Sequence, residues 1–210
     1  PYHVLSVTHF MDIFFRTTKS PQQSMKRAFE LIQKAIALDD SYALAHGFLG
    51  CLYTWSRKYD EAIMEGQKGI ALDPNGAHGY LYLNIIYFYV GKHEEAVDAI
   101  ENAMRLNPFP PNTYYRHATL TYCLVGKYEE AIAAGKKAVT LSPNDPFAHS
   151  FLTAAYSLAG RHEAARIEAA ENLRLRPKFS SVRFGKLSPY KNQADRELII
   201  NALRKAGLPE

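Results

Sequence analysis

Four prolines divide this chain into near-equal lengths. Pro74, Pro108, Pro143 and Pro177 lie 34, 35 and 34 residues apart. Each closes a similar phrase: Gly69-Ile70-Ala71-Leu72-Asp73 before Pro74, Ala103-Met104-Arg105-Leu106-Asn107 before Pro108, Ala138-Val139-Thr140-Leu141-Ser142 before Pro143, and Asn172-Leu173-Arg174-Leu175-Arg176 before Pro177. A fixed period near 34 residues implies stacked helical hairpins, because one such unit cannot bury its own apolar face. Length alone would suggest one or two ordinary domains. The repeat overrides that reading, and apolar residues at 47% are enough for a continuous core between hairpins.

With the closing proline set as position 32, units begin at Ala43, Ala77, Asn112 and Pro146, and further columns align. Position 11 is Tyr53, Tyr87, Tyr122 and Tyr156; position 20 is Ala62, Ala96, Ala131 and Ala165; position 30 is Leu72, Leu106, Leu141 and Leu175. The alanine lets the second helix of each hairpin approach the first, and the tyrosine fills the space between them. Position 15 is Arg57, then Gly91, Gly126 and Gly160. A glycine there suits the left-handed residue that ends the first helix. Asp60, Glu94, Glu129 and Glu163 fall in the first turn of the second helix, where the helix dipole favours carboxylates. Asp145 before Pro146 reads as an N-cap followed by proline at the first helical position.

These columns resemble the tetratricopeptide repeat over most of the chain. The resemblance implies an all-α, right-handed superhelical array of antiparallel helix pairs. Four units fit, at about 43–76, 77–111, 112–145 and 146–179. Residues 1–42 read as a degenerate N-terminal unit. Its first helix, roughly Tyr2 to Arg16, loses the register, and its second opens at Ser20-Pro21-Gln22-Gln23 with a capping box. Residues 178–210 read as a C-terminal cap over the last hairpin's exposed side. A short helix is expected over Ser180–Lys186, and a longer one over Asn192–Ala206 with Leu198, Ile199, Ala202 and Leu203 on its apolar face.

In the resembled fold, positions 2, 5, 6, 9, 12 and 13 of each first helix line a concave groove. Here they supply Phe48, Cys51 and Trp55; His78, Tyr82, Ile85 and Tyr89; Arg116, His117 and Leu120; and Phe147 and Phe151. Solvent-facing helix positions are ordinarily polar, so this apolar, aromatic set points to a partner site or a self-association site. The competing reading is a tight superhelix in which neighbouring helices cover these residues themselves. Trp55, Tyr82, Tyr89 and Phe151 are the expected anchors, a buried aromatic stabilising an interface by roughly 1.5–3 kcal/mol. Some arrays of this family grip a carboxylate with cations at these positions. Arg116 is the one cation here, so a hydrophobic strand or amphipathic helix fits better.

Chemistry finds little foothold. His46, His149, His93 and His162 occupy packing columns shared with Tyr80, Tyr115, Tyr59 and Tyr128. No metal spacing, phosphate loop or nucleophile elbow appears, so no catalytic, cofactor or metal site is expected. Cys51 and Cys123 fall about two repeats apart and are expected as free thiols in a reducing, cytoplasmic setting. No stretch approaches the ~20 apolar residues of a membrane helix. The net charge of +4 is C-terminal: residues 1–160 carry 14 basic and 15 acidic residues, and 161–210 carry 11 and 6. The basic residues Arg161, Arg166, Arg174, Arg176, Lys178, Arg183, Lys186 and Lys191 are scattered, which favours a solvated face over nucleic-acid binding. The expected partner is a protein or peptide, including a second copy of the chain.

The sequence opens at Pro1 without Met and reads as starting inside a helix, as a piece of a longer chain would. The tail, 187–197 and 203–210, and the phrase at 34–43 resemble the repeat-bearing C-terminal regions of bacterial class III adenylate/guanylate cyclases. That resemblance implies a regulatory or assembly arm for a catalytic domain located upstream.

Overall fold

The computed structural model describes residues 1–14 and 17–210. Twelve helices and no strand occur among the described residues. In order they are α1 (Tyr2–Phe14), α2 (Pro21–Leu38), α3 (Ala43–Trp55), α4 (Tyr59–Leu72), α5 (Ala77–Val90), α6 (His93–Leu106), α7 (Asn112–Leu124), α8 (Tyr128–Leu141), α9 (Pro146–Leu158), α10 (His162–Leu175), α11 (Ser181–Leu187) and α12 (Gln193–Lys205). They pair as α1/α2, α3/α4, α5/α6, α7/α8 and α9/α10, and each pair stacks on the next.

The columns explain the pairing. Ala62, Ala96, Ala131 and Ala165 are all buried, so the two helices of each hairpin meet over a methyl group. In the first full unit the approach is closer still: a Cβ built on Gly50 would lie 2.8 Å from the Ala62 carbonyl oxygen. Gly91, Gly126 and Gly160 take φ of 87°, 74° and 74°, the left-handed conformation that stops the first helix. Arg57 adopts the same conformation, φ 59°, at a cost of roughly 1–2 kcal/mol that glycine would avoid. Asp145 caps α9, its carboxylate accepting from the Phe147 amide at 2.9 Å.

Several terminal expectations need correction. Arg16, taken as the end of the first helix, lies outside the described residues; α1 is described to Phe14. Ser20 occupies the N-cap of α2, but its side chain makes no cap hydrogen bond, so the capping box is not formed. Leu198 is exposed, and the buried face of α12 is Ile199, Ala202 and Leu203. The tail does more than cover the last hairpin. α12 packs on α9, and residues 188–195 run back to the first and second full units. There the Lys191 amide donates to the Tyr89 carbonyl at 2.8 Å, the Arg57 guanidinium donates to the Tyr190 carbonyl at 3.3 Å, and the Tyr59 hydroxyl donates to the Pro189 carbonyl at 3.3 Å. His93 pairs with Asp195 at 3.2 Å. The tail thus joins units that the solenoid itself keeps apart.

Candidate functional site

The first helices of the hairpins present one continuous inner wall. Position 6 of α3 and α5 brings Phe48 and Tyr82 to 5.7 Å between ring centroids. Position 13 brings Trp55 edge-on to Tyr89 at 5.0 Å. Helix α1 lies over this wall: Phe10 meets Phe48 at 5.9 Å and Trp55 at 5.0 Å, both edge-to-face. At the far end of α1, Phe14 stacks on Phe147 of α9 at 4.6 Å. The first and last hairpins therefore touch, and the inner face is a bounded hollow, not an open trough. From the C-terminal side Phe184 of α11 enters it, 6.2 Å from Phe151.

What remains is a cavity of about 660 Å³. Eleven of the twelve residues read from the sequence as the groove line it: Phe48, Cys51, Trp55, His78, Tyr82, Ile85, Tyr89, Arg116, His117, Leu120 and Phe151. The twelfth, Phe147, lines an adjoining cavity of about 450 Å³ that shares the walls Phe14, Trp55 and Phe184 with the first. Sequence reasoning missed the far wall, Val7, Phe10, Met11 and Phe14, because α1 does not keep the repeat register. It also missed Phe184 and the turn Ser142–Asp145.

The polar groups of the wall tie its elements together. Arg116 donates to Asp145 at 2.9 Å, and Asn112 donates to the same carboxylate oxygen at 3.0 Å. That carboxylate already caps α9, so one aspartate ties α7 to the start of α9. Burial pushes the His117 imidazole down to about 3, with the Arg116 charge adding to the effect. His3 falls to about 4 through burial, the His78 ring and the chain amino group. Both imidazoles are neutral near pH 7. The Tyr82 and Tyr89 hydroxyls and the Cys51 thiol are pushed upward by burial, and Cys123 rises to about 12. A protonated, buried thiol is a poor nucleophile. Both cysteines are free and buried. Among the described residues no group of three or more His, Cys, Asp or Glu could hold a metal ion, and no helix is long and apolar enough to cross a membrane.

Two further histidines have a role the sequence reading reduced to packing. His46 meets Glu65 through Nδ1 at 2.6 Å and the Asp40 carbonyl through Nε2 at 2.9 Å. His149 repeats this with Glu168 at 2.7 Å and the Pro143 carbonyl at 2.9 Å. Each ring buckles the first helix of a hairpin to the second and to the preceding turn. The glutamate beside His149 holds its pKa above the ordinary value, against the lowering effect of burial.

The tetratricopeptide repeat family model matches residues 111–145, the third full hairpin with its approach. No curated protein matches the chain. Solved structures of similar architecture are numerous. A thermophilic tetratricopeptide protein of Thermus thermophilus superposes with a TM-score of 0.68 at 20% identity, over 97% of this chain and 97% of that one. The type IV pilus biogenesis factor PilW gives 0.68 at 15% identity, over 96% of this chain and 90% of its own. YrrB, described as having an unusual peptide-binding site, gives 0.57 at 21% identity, over 83% and 90%. At these identities the likeness establishes architecture, and it agrees with the proline period and the alanine column: the chain has the fold of the tetratricopeptide solenoids and contains a repeat of that family at 111–145.

Proposed function

We propose that this chain is a protein-interaction scaffold whose inner hollow receives an apolar anchor of a partner polypeptide. The observation that carries the reading is the cavity of about 660 Å³, walled by aromatic and aliphatic side chains from six helices. An interior surface of that composition gains free energy when water leaves it, and pockets of this size suit compact ligands. The dimensions also narrow the occupant. One turn of an α-helix about 10 Å across and 5.4 Å high fills roughly 420 Å³. The hollow is therefore too small for a long amphipathic helix, which would have to lie outside it. The fold is typical of interaction scaffolds, and a solved array of the same architecture is described by its peptide-binding site. The tail's resemblance to cyclase-linked arrays finds no counterpart in the structures compared above and adds nothing to this reading.

Site-specific photo-cross-linking tests it. A benzophenone amino acid placed at Ile85, on the cavity wall, should trap a defined polypeptide in the source cells. The same probe at Met64, exposed on the outer face of α4, should not. Identical products from both positions, or none from Ile85, would refute the assignment of the hollow.

A further inference from the structure

We propose that the partner stretch is acidic, with one large apolar side chain set between carboxylates, and that it enters through a basic mouth formed by Thr18, Lys19 and Pro21 on one side and by the α10–α11 linker and α11 on the other. This rests on the scaffold reading and specifies its ligand.

The mouth is the cavity of about 450 Å³ that adjoins the hollow. Its floor is aromatic, with Phe14, Trp55, Phe147 and Phe184 all contributing. Its rim carries Lys19, Arg176, Lys178 and Arg183, and no carboxylate lines it among the described residues. Lys19, Lys178 and Arg183 are exposed, and Arg176 lies over the Phe147 ring at 5.2 Å and the Phe179 ring at 5.7 Å. Three of the eight basic residues named in the C-terminal sequence, Arg176, Lys178 and Arg183, meet at this rim, with Lys19 brought in from the opposite end of the chain.

Like charges gathered around one concavity repel one another, and a ligand bearing carboxylates relieves that repulsion. The apolar floor selects for more than charge. An anchor side chain seated on that floor lies against the wall of the larger hollow, since Phe14, Trp55 and Phe184 line both spaces. The main chain of such a ligand stays at the mouth, where the Thr18 and Ser180 hydroxyls, which accept hydrogen bonds within the chain, have protons to donate to its carbonyls. Burying peptide groups deeper would leave them unpaired, at about 1–3 kcal/mol each. A deep concave floor also suits one anchor side chain better than a nucleic-acid strand, which needs a track for successive bases.

The chain's single tryptophan reports on this site directly, because Trp55 lines both cavities. The probe is the peptide acetyl-Asp-Glu-Asp-Leu-Glu-Asp-Glu-amide, titrated into the full chain while Trp55 emission is recorded. Saturable binding is expected, weakened about tenfold when Asn and Gln replace the acids, and weakened again when Ser replaces Leu. Raising salt from about 50 mM to about 500 mM should loosen it severalfold. The Lys178→Glu/Arg183→Glu double variant, altered at two exposed positions, should lose about tenfold with an unchanged circular dichroism spectrum. Equal affinity for the neutral peptide would overturn the acidic assignment while leaving the hollow as an apolar site. No Trp55 response to any peptide would overturn the inference, and the Ile85 cross-link would then judge the scaffold reading separately. Tighter binding of octathymidylate or of laurate than of the acidic peptide would also overturn it.

Discussion

Replacing Tyr190 separates two opposing contributions of one side chain. The ring is buried at 5% exposure, 5.1 Å from Tyr89 and 5.5 Å from Phe88. Burying a tyrosine removes about 200 Å² from water, which at about 25 cal/mol per Å² stabilises the docked tail by about 5 kcal/mol. The hydroxyl works against this, since it is buried without a hydrogen-bond partner among the described residues. An unpaired hydroxyl costs about 1–3 kcal/mol. Tyr190→Ala should therefore cost about 2–4 kcal/mol net, and Tyr190→Phe should gain about 1 kcal/mol. Urea midpoints followed by circular dichroism measure both, and for a chain of this length 1 kcal/mol moves Tm by about 2–4 °C. Hydrogen exchange at the Lys191 amide, bonded to the Tyr89 carbonyl, distinguishes release of the tail from global unfolding. A Phe variant less stable than native by more than about 1 kcal/mol would show that the hydroxyl is satisfied and the accounting wrong.

Three further outcomes follow from individual contacts. Gly50→Ala puts a Cβ 2.8 Å from the Ala62 carbonyl, a main-chain atom that cannot rotate away, and should cost about 1–3 kcal/mol. Gly66→Ala meets only the side-chain ends of Ile86 and Leu83 and should cost distinctly less; equal losses in thermal melts would contradict this. His149 has a raised pKa in the fold, so its contribution is full below about pH 6.5 and is lost as pH climbs through the raised value. Native stability should thus fall as pH rises above about 6.5, and His149→Gln should remove part of that fall in urea titrations. His117 has the opposite sign. Its folded pKa of about 3 means that the unfolded chain takes up the proton first, so stability declines as pH falls from about 6.5 toward 3. The variant His117→Leu should flatten that acid limb by more than about 1 kcal/mol at pH 4.5, and an unchanged limb would mean the ring is solvated.

How much of this could be read from residues alone depended on whether the pattern was local. The helix pairs were legible because Pro, Gly and Ala recur at fixed offsets, and each residue type acts within its own hairpin. The inner wall was legible for the same reason, since positions 6, 9 and 13 of a first helix share one face. Its lid was not. Helix α1 breaks the register, and nothing in a one-dimensional period says that Phe14 reaches Phe147 or that Tyr190 returns to Tyr89. Those contacts depend on how far the superhelix turns, a sum of small rotations over every unit. Arg57 shows the boundary between the two cases. Its departure from the glycine column is plain in the sequence, and its reason is not: the strained residue holds the Tyr190 carbonyl from a segment more than a hundred positions away.

The histidine buckles mark what a closer reading could have found. Positions 4 and 23 vary together within this one chain. Where position 4 is histidine, as in His46 and His149, position 23 is Glu65 or Glu168; where it is tyrosine, as in Tyr80 and Tyr115, position 23 is Ala99 or Ala134. The structure gives the cause. Position 4 faces position 23 across the hairpin, and a buried imidazole with one nitrogen on a carbonyl needs a carboxylate for the other. A tyrosine ring fills the same gap with apolar area and leaves room only for a methyl group. The buckles stand in the first and fourth full units with plain packing between them, so they flank the two units that form the middle of the hollow. The loss of stability with rising pH should accordingly begin at the last full unit, where His149 lies and where Phe147 meets Phe14.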